Sequence, residues 1–120
     1  MNRKIKFRAW DEEFKSMDYG GGDLLLRAGK NNSVVMQYTG LKDKNGKEIY
    51  EGDIVVVPFD VGDDELCVVE WEQCIARYII KRVKVEPYTV QFYEIDDDFP
   101  IDFVEIIGNI YENPELLGDK

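Results

Sequence analysis

The sequence predicts a mainly β protein that folds as one compact unit, and three observations support this prediction. Its 120 residues match the usual size of a single domain. Hydrophobic residues make up 44% and aromatic residues 12% of the chain, which is a globular rather than a disordered composition. Between residues 48 and 111, five or six short apolar segments are separated by turn signals, a spacing typical of a small barrel or a strongly bent sheet.

The N-terminal third predicts a pair of strands and a loop. Over residues 4–10, apolar side chains alternate with Lys and Arg, and this period of two indicates a half-exposed strand. A polar turn at 11–13 precedes a second apolar segment at 14–19. Three consecutive glycines follow at 20–22, so we expect a flexible connection there.

The centre of the chain predicts two strong strands and a tight turn. Residues 34–38 predict the first strand, and the Asn-Gly dipeptide at 45–46 supplies the backbone freedom that a tight reversal needs. Apolar character returns at 48–50. The consecutive β-branched residues at 54–57 predict another strand, which we expect Pro58 to end.

The C-terminal half predicts further short strands, with one segment open to two interpretations. An acidic loop over 60–65 precedes a strand over 66–71. Within 73–85, several apolar residues fit one helical face, but β-branched residues dominate, so we expect a strand. The remaining predicted elements are strands over 88–93 and 101–107, an acidic turn at 96–98, a bend at Gly108, an extended piece at 110–111 and one helical turn over 113–117, capped by Asn and started by Pro.

The net charge of -10 is unevenly distributed along the chain. Residues 1–50 contain 10 Lys and Arg against 7 Asp and Glu, whereas residues 51–120 contain 5 against 18. A duplex-binding protein normally presents a basic face, and an acidic half repels nucleic acid at long range. We interpret the acidity as a solubility feature; a patch for a basic protein and a mimic of a polyanion are the alternatives.

The cysteines and the apolar runs indicate a soluble cytoplasmic protein. Cys67 and Cys74 have no further cysteine or histidine to complete a zinc site. We expect two reduced thiols, buried and unreactive among apolar neighbours; a disulfide between them is the alternative. Residues 1–10 do not form an apolar leader, and no run approaches the roughly 20 apolar residues of a membrane span.

No catalytic, cofactor-binding or metal-binding pattern stands out in the sequence. Histidine is absent, which removes the commonest general base and the usual triads. The acidic segment at 60–65 lacks the ligand spacing of a calcium loop, and the glycines lack the pattern of a phosphate-binding loop. We therefore predict a protein that is not an enzyme and that requires no cofactor or metal.

Three groups of basic residues suggest a second hypothesis. Basic strands with aromatic neighbours can bind single-stranded nucleic acid through stacking and phosphate contacts. We favour instead the pairing of these charges with acidic residues of a neighbouring strand or subunit. The groups are Lys4, Lys6 and Arg8; Lys42, Lys44 and Lys47; and Arg77, Lys81, Arg82 and Lys84.

Three separated blocks of the sequence resemble the YopX-type proteins of bacteriophages and prophages. The central block, QYTGLKDKNGKEIYEGDIV at 37–55, resembles the family's signature. The block RKIKFRAWD at 3–11 is similar to the family's typical start, and IGNIYENPELL at 107–117 to its typical end. Residues 20–33 and 73–100 match no pattern, as expected for variable segments.

The resemblance implies a fold but no activity. It implies an N-terminal β segment with a Gly-rich loop over 1–36 and an SH3-like β-barrel over 37–120, ending in a short helical turn. It supplies no catalytic residues, and a fold alone does not define a function.

From these observations we expect a cytoplasmic phage or prophage accessory protein that binds a host or phage protein, or a second copy of itself. We expect no membrane contact and disfavour nucleic acid as partner. The alternatives are a nucleic-acid-binding barrel and an acidic polyanion mimic that blocks a DNA-binding protein. The candidate interaction surface comprises Leu41, Lys42, Lys44, Lys47 and Tyr50.

Overall fold

The fold is mainly β and consists of two antiparallel sheets. The computed structural model of the chain describes residues 6–19, 33–60, 63–74, 77–83, 92–95 and 101–117. Among these residues, two 3₁₀ turns accompany the strands, at Ile101–Phe103 and at Pro114–Leu117. The strands are β1 (Phe7–Asp11), β2 (Ser16–Asp18), β3 (Ser33–Lys42), β4 (Glu48–Tyr50), β5 (Asp53–Asp60), β6 (Asp63–Glu72), β7 (Arg77–Arg82), β8 (Phe92–Glu94) and β9 (Glu105–Asn109).

The first sheet has the strand order β2-β1-β3-β4. In β1 the predicted alternation is present, but Arg8, Ala9 and Trp10 are all buried, because both faces of this strand are covered. The long strand β3 pairs with β1 through its first half and with β4 through its second half. The predicted boundary between 36 and 37 falls inside β3.

The second sheet has the strand order β8-β7-β6-β5-β9 and surrounds the main core. Consecutive strands β5 to β8 form a meander, and β9 returns to pair with β5. Burial of apolar side chains on one face of this sheet provides the main driving force for folding. The fully or almost fully buried core residues are Ile49, Val55, Val57, Cys67, Val69, Ile80, Val104 and Ile106.

The structure confirms the strands predicted at 34–38, 54–57 and 66–71. It also shows strand rather than helix within 73–85, where β7 pairs with β6 over its whole length. The helical turn predicted near the C-terminus is present as the 3₁₀ turn Pro114–Leu117. The glycine loop at 20–22, the acidic turn at 96–98 and most of the strand predicted at 88–93 lie outside the described residues.

Two predicted strand boundaries near the β5–β6 hairpin are wrong. Pro58 does not end its strand, because β5 continues to Asp60. Since β9 pairs with β5 only as far as Val56, Pro58 needs no N–H for that neighbour, and an edge position tolerates proline. β6 begins at Asp63, inside the predicted acidic loop, because Asp63 pairs with Asp60 across the hairpin.

The prediction for the last strand also needs correction. β9 begins only at Glu105, because the Val104 N–H donates to the Ile101 carbonyl at 3.2 Å and closes a 3₁₀ turn. Gly108 lies within β9 next to a bulge, since Ile54 pairs with Gly108 and Val55 with Ile106. Residues 110–111 form a turn rather than an extended piece. Within the described part of the chain, no helix is long and apolar enough to cross a bilayer.

Candidate functional site

A buried ion pair joins the first sheet to the second. Arg8 Nη2 donates to Asp53 Oδ1 at 2.9 Å, and both residues are 2% exposed. The same nitrogen donates to the Glu51 carbonyl at 3.0 Å, and the Tyr50 N–H donates to Asp53 Oδ2 at 2.7 Å. These bonds hold the turn between β4 and β5 against β1.

Burial controls the electrostatics of this ion pair. Withdrawal of Asp53 from water raises the pKa of its carboxyl, and the attraction of Arg8 and the bond from the Tyr50 N–H offset this only in part. The Nε of Arg8 finds no acceptor among the described residues. Because an unpaired buried donor costs about 1–3 kcal/mol, we attribute to the pair a role in fixing the arrangement of the sheets rather than a large net gain in stability.

Two tyrosine rings enclose the guanidinium group of Arg8. Its Cζ lies 4.8 Å from the centroid of Tyr50 and 5.9 Å from that of Tyr19, and its Nη1 donates to the Tyr19 hydroxyl at 3.3 Å. The two rings meet edge to face at 5.7 Å. Burial raises the pKa of Tyr50, so its hydroxyl remains protonated at neutral pH and can donate a hydrogen bond.

The turn of the β3–β4 hairpin is held by one buried carboxylate. Asp43 is 6% exposed, and its Oδ1 accepts the backbone N–H groups of Asn45 and Lys47 at 2.9 Å each. Gly46 adopts a φ of 82°, which confirms the backbone freedom predicted for the Asn-Gly dipeptide. We call residues 41–47 the basic hairpin.

The basic hairpin is fastened to the segment that leads into β9. Asp43 Oδ2 accepts the Ile106 N–H at 3.0 Å, and the Lys44 N–H donates to the Val104 carbonyl at 2.8 Å. Burial alone would raise the pKa of Asp43, but the three backbone donors lower it below its usual value. The hairpin is therefore a fixed part of the structure and not a loose loop.

A second side-chain network shapes the turn after β9. Asn109 Oδ1 accepts the backbone N–H groups of Tyr111 and Glu112 at 3.0 and 2.8 Å, while Asn113 Oδ1 accepts the Asn109 N–H at 3.1 Å. Such Asx bonds compete with extended structure, which explains why the chain turns at 110–111. A Cβ on Gly108 would lie 2.6 Å from Asn113 Oδ1, so only glycine fits beside this turn.

These elements enclose a cleft of about 390 Å³ between β1, the start of β4 and the β9 bulge. Its volume is in the range of small-ligand sites. Charged, hydroxyl and amide groups dominate its walls, and the two isoleucines of the bulge add an apolar strip. The lining residues are Arg8, Tyr19, Lys47, Glu48, Tyr50, Asp53, Ile106, Ile107, Gly108, Asn109, Glu112 and Asn113.

The cleft lies where the three sequence blocks meet. The first block contacts the central block through Arg8 and Asp53. It contacts the last block through Trp10, which stacks on Tyr111 with ring centroids 5.9 Å apart. The bond from the Ile106 N–H to Asp43 ties the central block to the residue just before the last block. The blocks therefore form one connected structure around the cleft.

The five residues of the predicted interaction surface occupy different environments. Lys42, Lys44 and Lys47 are exposed on the basic hairpin. Leu41 is half-buried against the main core, and Tyr50 is buried at 5% exposure. The structure brings Lys47 and Tyr50 together in the wall of the cleft and leaves Lys42 and Lys44 outside it. The surface as a whole stays a prediction.

Several basic residues form ion pairs within the chain. Within the described residues, pairs of this kind arise in all three predicted basic groups, and most of them are partly exposed. In these groups the pairs besides Arg8 and Asp53 are Lys6 with Glu48 at 2.6 Å, Lys44 with Glu105 at 3.4 Å, Arg77 with Glu94 at 3.0 Å and Arg82 with Glu65 at 2.5 Å.

The two cysteines are unbonded and differ in their surroundings. Cys67 lies in the main core, where burial raises the pKa of its thiol to about 12 and makes it a poor nucleophile. Cys74 is exposed in the turn after β6, which corrects the prediction that both thiols are buried. The described residues contain no group of three or more Cys, Asp or Glu side chains that could hold a metal ion.

Sequence reasoning named Lys47 and Tyr50 but missed the other residues that build the site. Arg8 has the same alternating position as Lys6, and nothing local marks it as buried. Asp43 does carry a usable signal, since an Asp two residues before Asn-Gly is a common Asx-turn residue. Asn109 and Asn113, four residues apart, are also of a type that is common in Asx turns.

Comparison with known proteins agrees with the resemblance of the central and last blocks. A family model described as "YopX protein" matches residues 23–118. No curated protein matches the chain. The chain is similar to the crystal structure of protein EF1440 from Enterococcus faecalis, with 26% identity, a TM-score of 0.55, and coverage of 97% of this chain and 99% of that chain. Since the family model covers most of the 120 residues, the chain belongs to the YopX protein family.

Proposed function

We propose that this protein is a non-enzymatic binding module, carried by a phage or prophage as an accessory protein of the bacterial cytoplasm, which recognises a partner protein through the basic hairpin. The observation that carries the proposal is the fastening of the hairpin by Asp43 to both its own turn and β9. A surface that is already ordered loses little conformational entropy when it binds. The hairpin therefore presents its exposed lysines on a backbone that is already ordered.

The charges around the hairpin favour an acidic protein as partner. Lys42 and Lys47 form no ion pair among the described residues, and Lys44 pairs only at the exposed surface with Glu105. Exposed pairs of this kind contribute little to stability, typically about 0–1 kcal/mol. The lysines therefore remain available to a partner, where they would contribute mainly to association rate and specificity.

The strand connections support an SH3-like barrel as the finer description of the second sheet. The four strands β5 to β8 follow one another as a meander, and β9 returns to pair with β5. The 3₁₀ turn Ile101–Phe103 immediately precedes that last strand. Rigid small barrels of this type carry binding sites of many kinds, so the fold is compatible with the proposed role but does not define it.

Direct binding of nucleic acid is the weaker candidate. Lys6, Arg8 and Arg82 already pair with carboxylates of the chain, which reduces the positive charge free for phosphates. The net charge of -10 would also repel the phosphates of a nucleic acid.

The proposal is tested by reversing charge on the hairpin outside the cleft. We expect the double variant Lys42→Glu/Lys44→Glu to lose at least about tenfold in affinity for the partner, which corresponds to roughly 1.4 kcal/mol. The partner is first captured from infected host cells on immobilised wild-type protein, and affinity is then measured with the purified partner.

The matched control is Lys15→Glu/Lys81→Glu, which changes the net charge equally at exposed lysines away from the hairpin. Circular dichroism establishes that all variants are folded. Equal loss of affinity in the control, or no loss in the hairpin variant, would contradict the proposal.

A further inference from the structure

We propose that the cleft beside the basic hairpin receives a carboxylate group of the partner protein, held between the ammonium group of Lys47 and the hydroxyls of Tyr19 and Tyr50. This inference rests on the proposed function and deepens it, because it names the chemical group that is recognised. Four observations support it, concerning the carboxylates of the cleft, its lysine, its hydroxyls and its shape.

The carboxylates that line the cleft are already engaged within the chain. A carboxylate without a partner would attract a cation and repel an anion. Two of these three are paired with a cation, whereas the third, Glu112, accepts from a neutral amide and keeps its charge. The contacts are Asp53 with Arg8 Nη2 at 2.9 Å, Glu48 with Lys6 Nζ at 2.6 Å and Glu112 with Asn109 Nδ2 at 2.7 Å.

Lys47 is the cation of the cleft that has no ion pair within the described part of the chain. Among the residues that the structure describes, its Nζ forms no ion pair, although its charge is felt at Asp43 and Asp53. Its backbone is fixed, because its N–H donates to Asp43 Oδ1 at 2.9 Å and its carbonyl accepts the Asp43 N–H at 2.8 Å. A cation on a fixed backbone at the edge of a cleft complements an anion.

The tyrosines supply neutral donors next to this cation. The Tyr50 ring is buried, yet it lines the cleft. Tyr19 is 56% exposed, and its hydroxyl accepts from Arg8 Nη1 at 3.3 Å, which leaves its own hydrogen free to donate. Because Arg8 is itself paired with Asp53, it acts as a positioning residue for these rings and not as the main anion ligand.

The shape of the cleft fits a side chain better than an isolated ion. A volume of about 390 Å³ corresponds to roughly a dozen water molecules at about 30 Å³ each. The β9 bulge directs Ile107 outward, where it is 39% exposed and forms an apolar wall. A carboxylate carried on methylene groups can therefore contact both the apolar wall and the donors.

The test uses peptides of known composition and ¹⁵N-labelled protein observed by NMR. The probes are acetyl-Ser-Glu-Leu-Ser-amide, its Gln counterpart and acetyl-Ser-Gln-Leu-Ser with a free C-terminal carboxylate. We expect saturable shifts at the amides of Lys47, Ile107 and Asn109 with a carboxylate-bearing peptide, and at least about tenfold weaker binding of the Gln amide. The Glu amide and the free-carboxylate peptide distinguish a side-chain carboxylate from a chain end.

Two variants locate the binding group. We expect Lys47→Gln and Tyr50→Phe each to weaken carboxylate binding by about fivefold or more, whereas Lys81→Gln, at an exposed position away from the hairpin and the cleft, leaves it unchanged. Equal shifts with the Gln amide, or unchanged binding in Lys47→Gln, would overturn the inference even if Lys42→Glu/Lys44→Glu abolished partner capture. If the peptides bind as expected but Lys42→Glu/Lys44→Glu still captures the partner as well as wild type does, the result would contradict the proposed function alone.

Discussion

Asp43 holds together two parts of the chain that lie 63 residues apart. Its two carboxylate oxygens accept three backbone N–H groups, two within the basic hairpin and one at Ile106. A carboxylate saturated by backbone donors is favoured in its charged form. At the scale of single residues, this side chain is therefore expected to stabilise the fold.

Replacement of Asp43 tests this role. We expect Asp43→Ala to lower the free energy of unfolding by about 2–4 kcal/mol, because it leaves backbone donors without acceptors in a buried region. Urea denaturation measures the change. Asp102→Ala, at an exposed position, serves as the control. If Asp43→Ala lowers the free energy of unfolding by less than about 0.5 kcal/mol, solvent replaces the carboxylate as acceptor and the prediction is wrong.

The same residue predicts a pH dependence. Burial opposes ionisation of Asp43, but the three N–H donors prevail and hold its pKa below the ordinary 3.8. A carboxyl whose pKa is lowered by folding stabilises the protein above the unfolded value and loses that contribution as pH falls below it. We expect wild type to lose more stability than Asp43→Asn between pH 5 and pH 3, measured by urea denaturation; parallel curves would exclude this contribution.

Among the strands and turns, the ion pair between β1 and β5 is the clearest coupling between elements. We expect Arg8→Met or Asp53→Asn alone to cost about 3–5 kcal/mol, because a single change leaves the other group buried without its partner. The double variant should cost less than the sum, since it leaves no buried charge without its partner. A double-mutant cycle by chemical denaturation measures the coupling, and additive losses would mean that the pair is not coupled.

The turn after β9 supplies a second test at this scale. A methyl group on Gly108 would meet Asn113 Oδ1 at 2.6 Å and Cγ at 2.8 Å, so we expect Gly108→Ala to cost about 1–3 kcal/mol through overpacking. The cost should shrink in an Asn113→Ala background, where the clashing atoms are absent. An equal cost in both backgrounds, measured by thermal and urea unfolding, would place the strain elsewhere.

For the molecule as a whole, local pattern predicted the strands but not the cleft. The apolar run at 54–57 and the alternation over 4–10 predict strands, because side-chain period is a property of neighbours in sequence. Burial of Arg8 is set by Asp53, 45 residues away, and no local pattern carries that information. The Asn-Gly turn predicts that Leu41 and the three lysines share one hairpin, whereas the cleft depends on the position of β9, which is distant in sequence.

Charge segregation also belongs to the whole molecule. If the more basic N-terminal half of one copy contacts the acidic half of another, the average mass in low salt should exceed 14.0 kDa and fall towards that value as salt screens the attraction. Light scattering at two ionic strengths measures this. A monomer mass in both conditions would contradict self-association.

The continuity of β3 has a mechanical consequence. One strand of ten residues is hydrogen-bonded to β1 at one end and to β4 at the other, so tension applied to the N-terminus would be transmitted directly into the rest of the fold through backbone bonds loaded side by side. The N-terminal strands should therefore resist peeling from β4, and a protease cut at position 36 would divide the strand that holds β1 and β4 together.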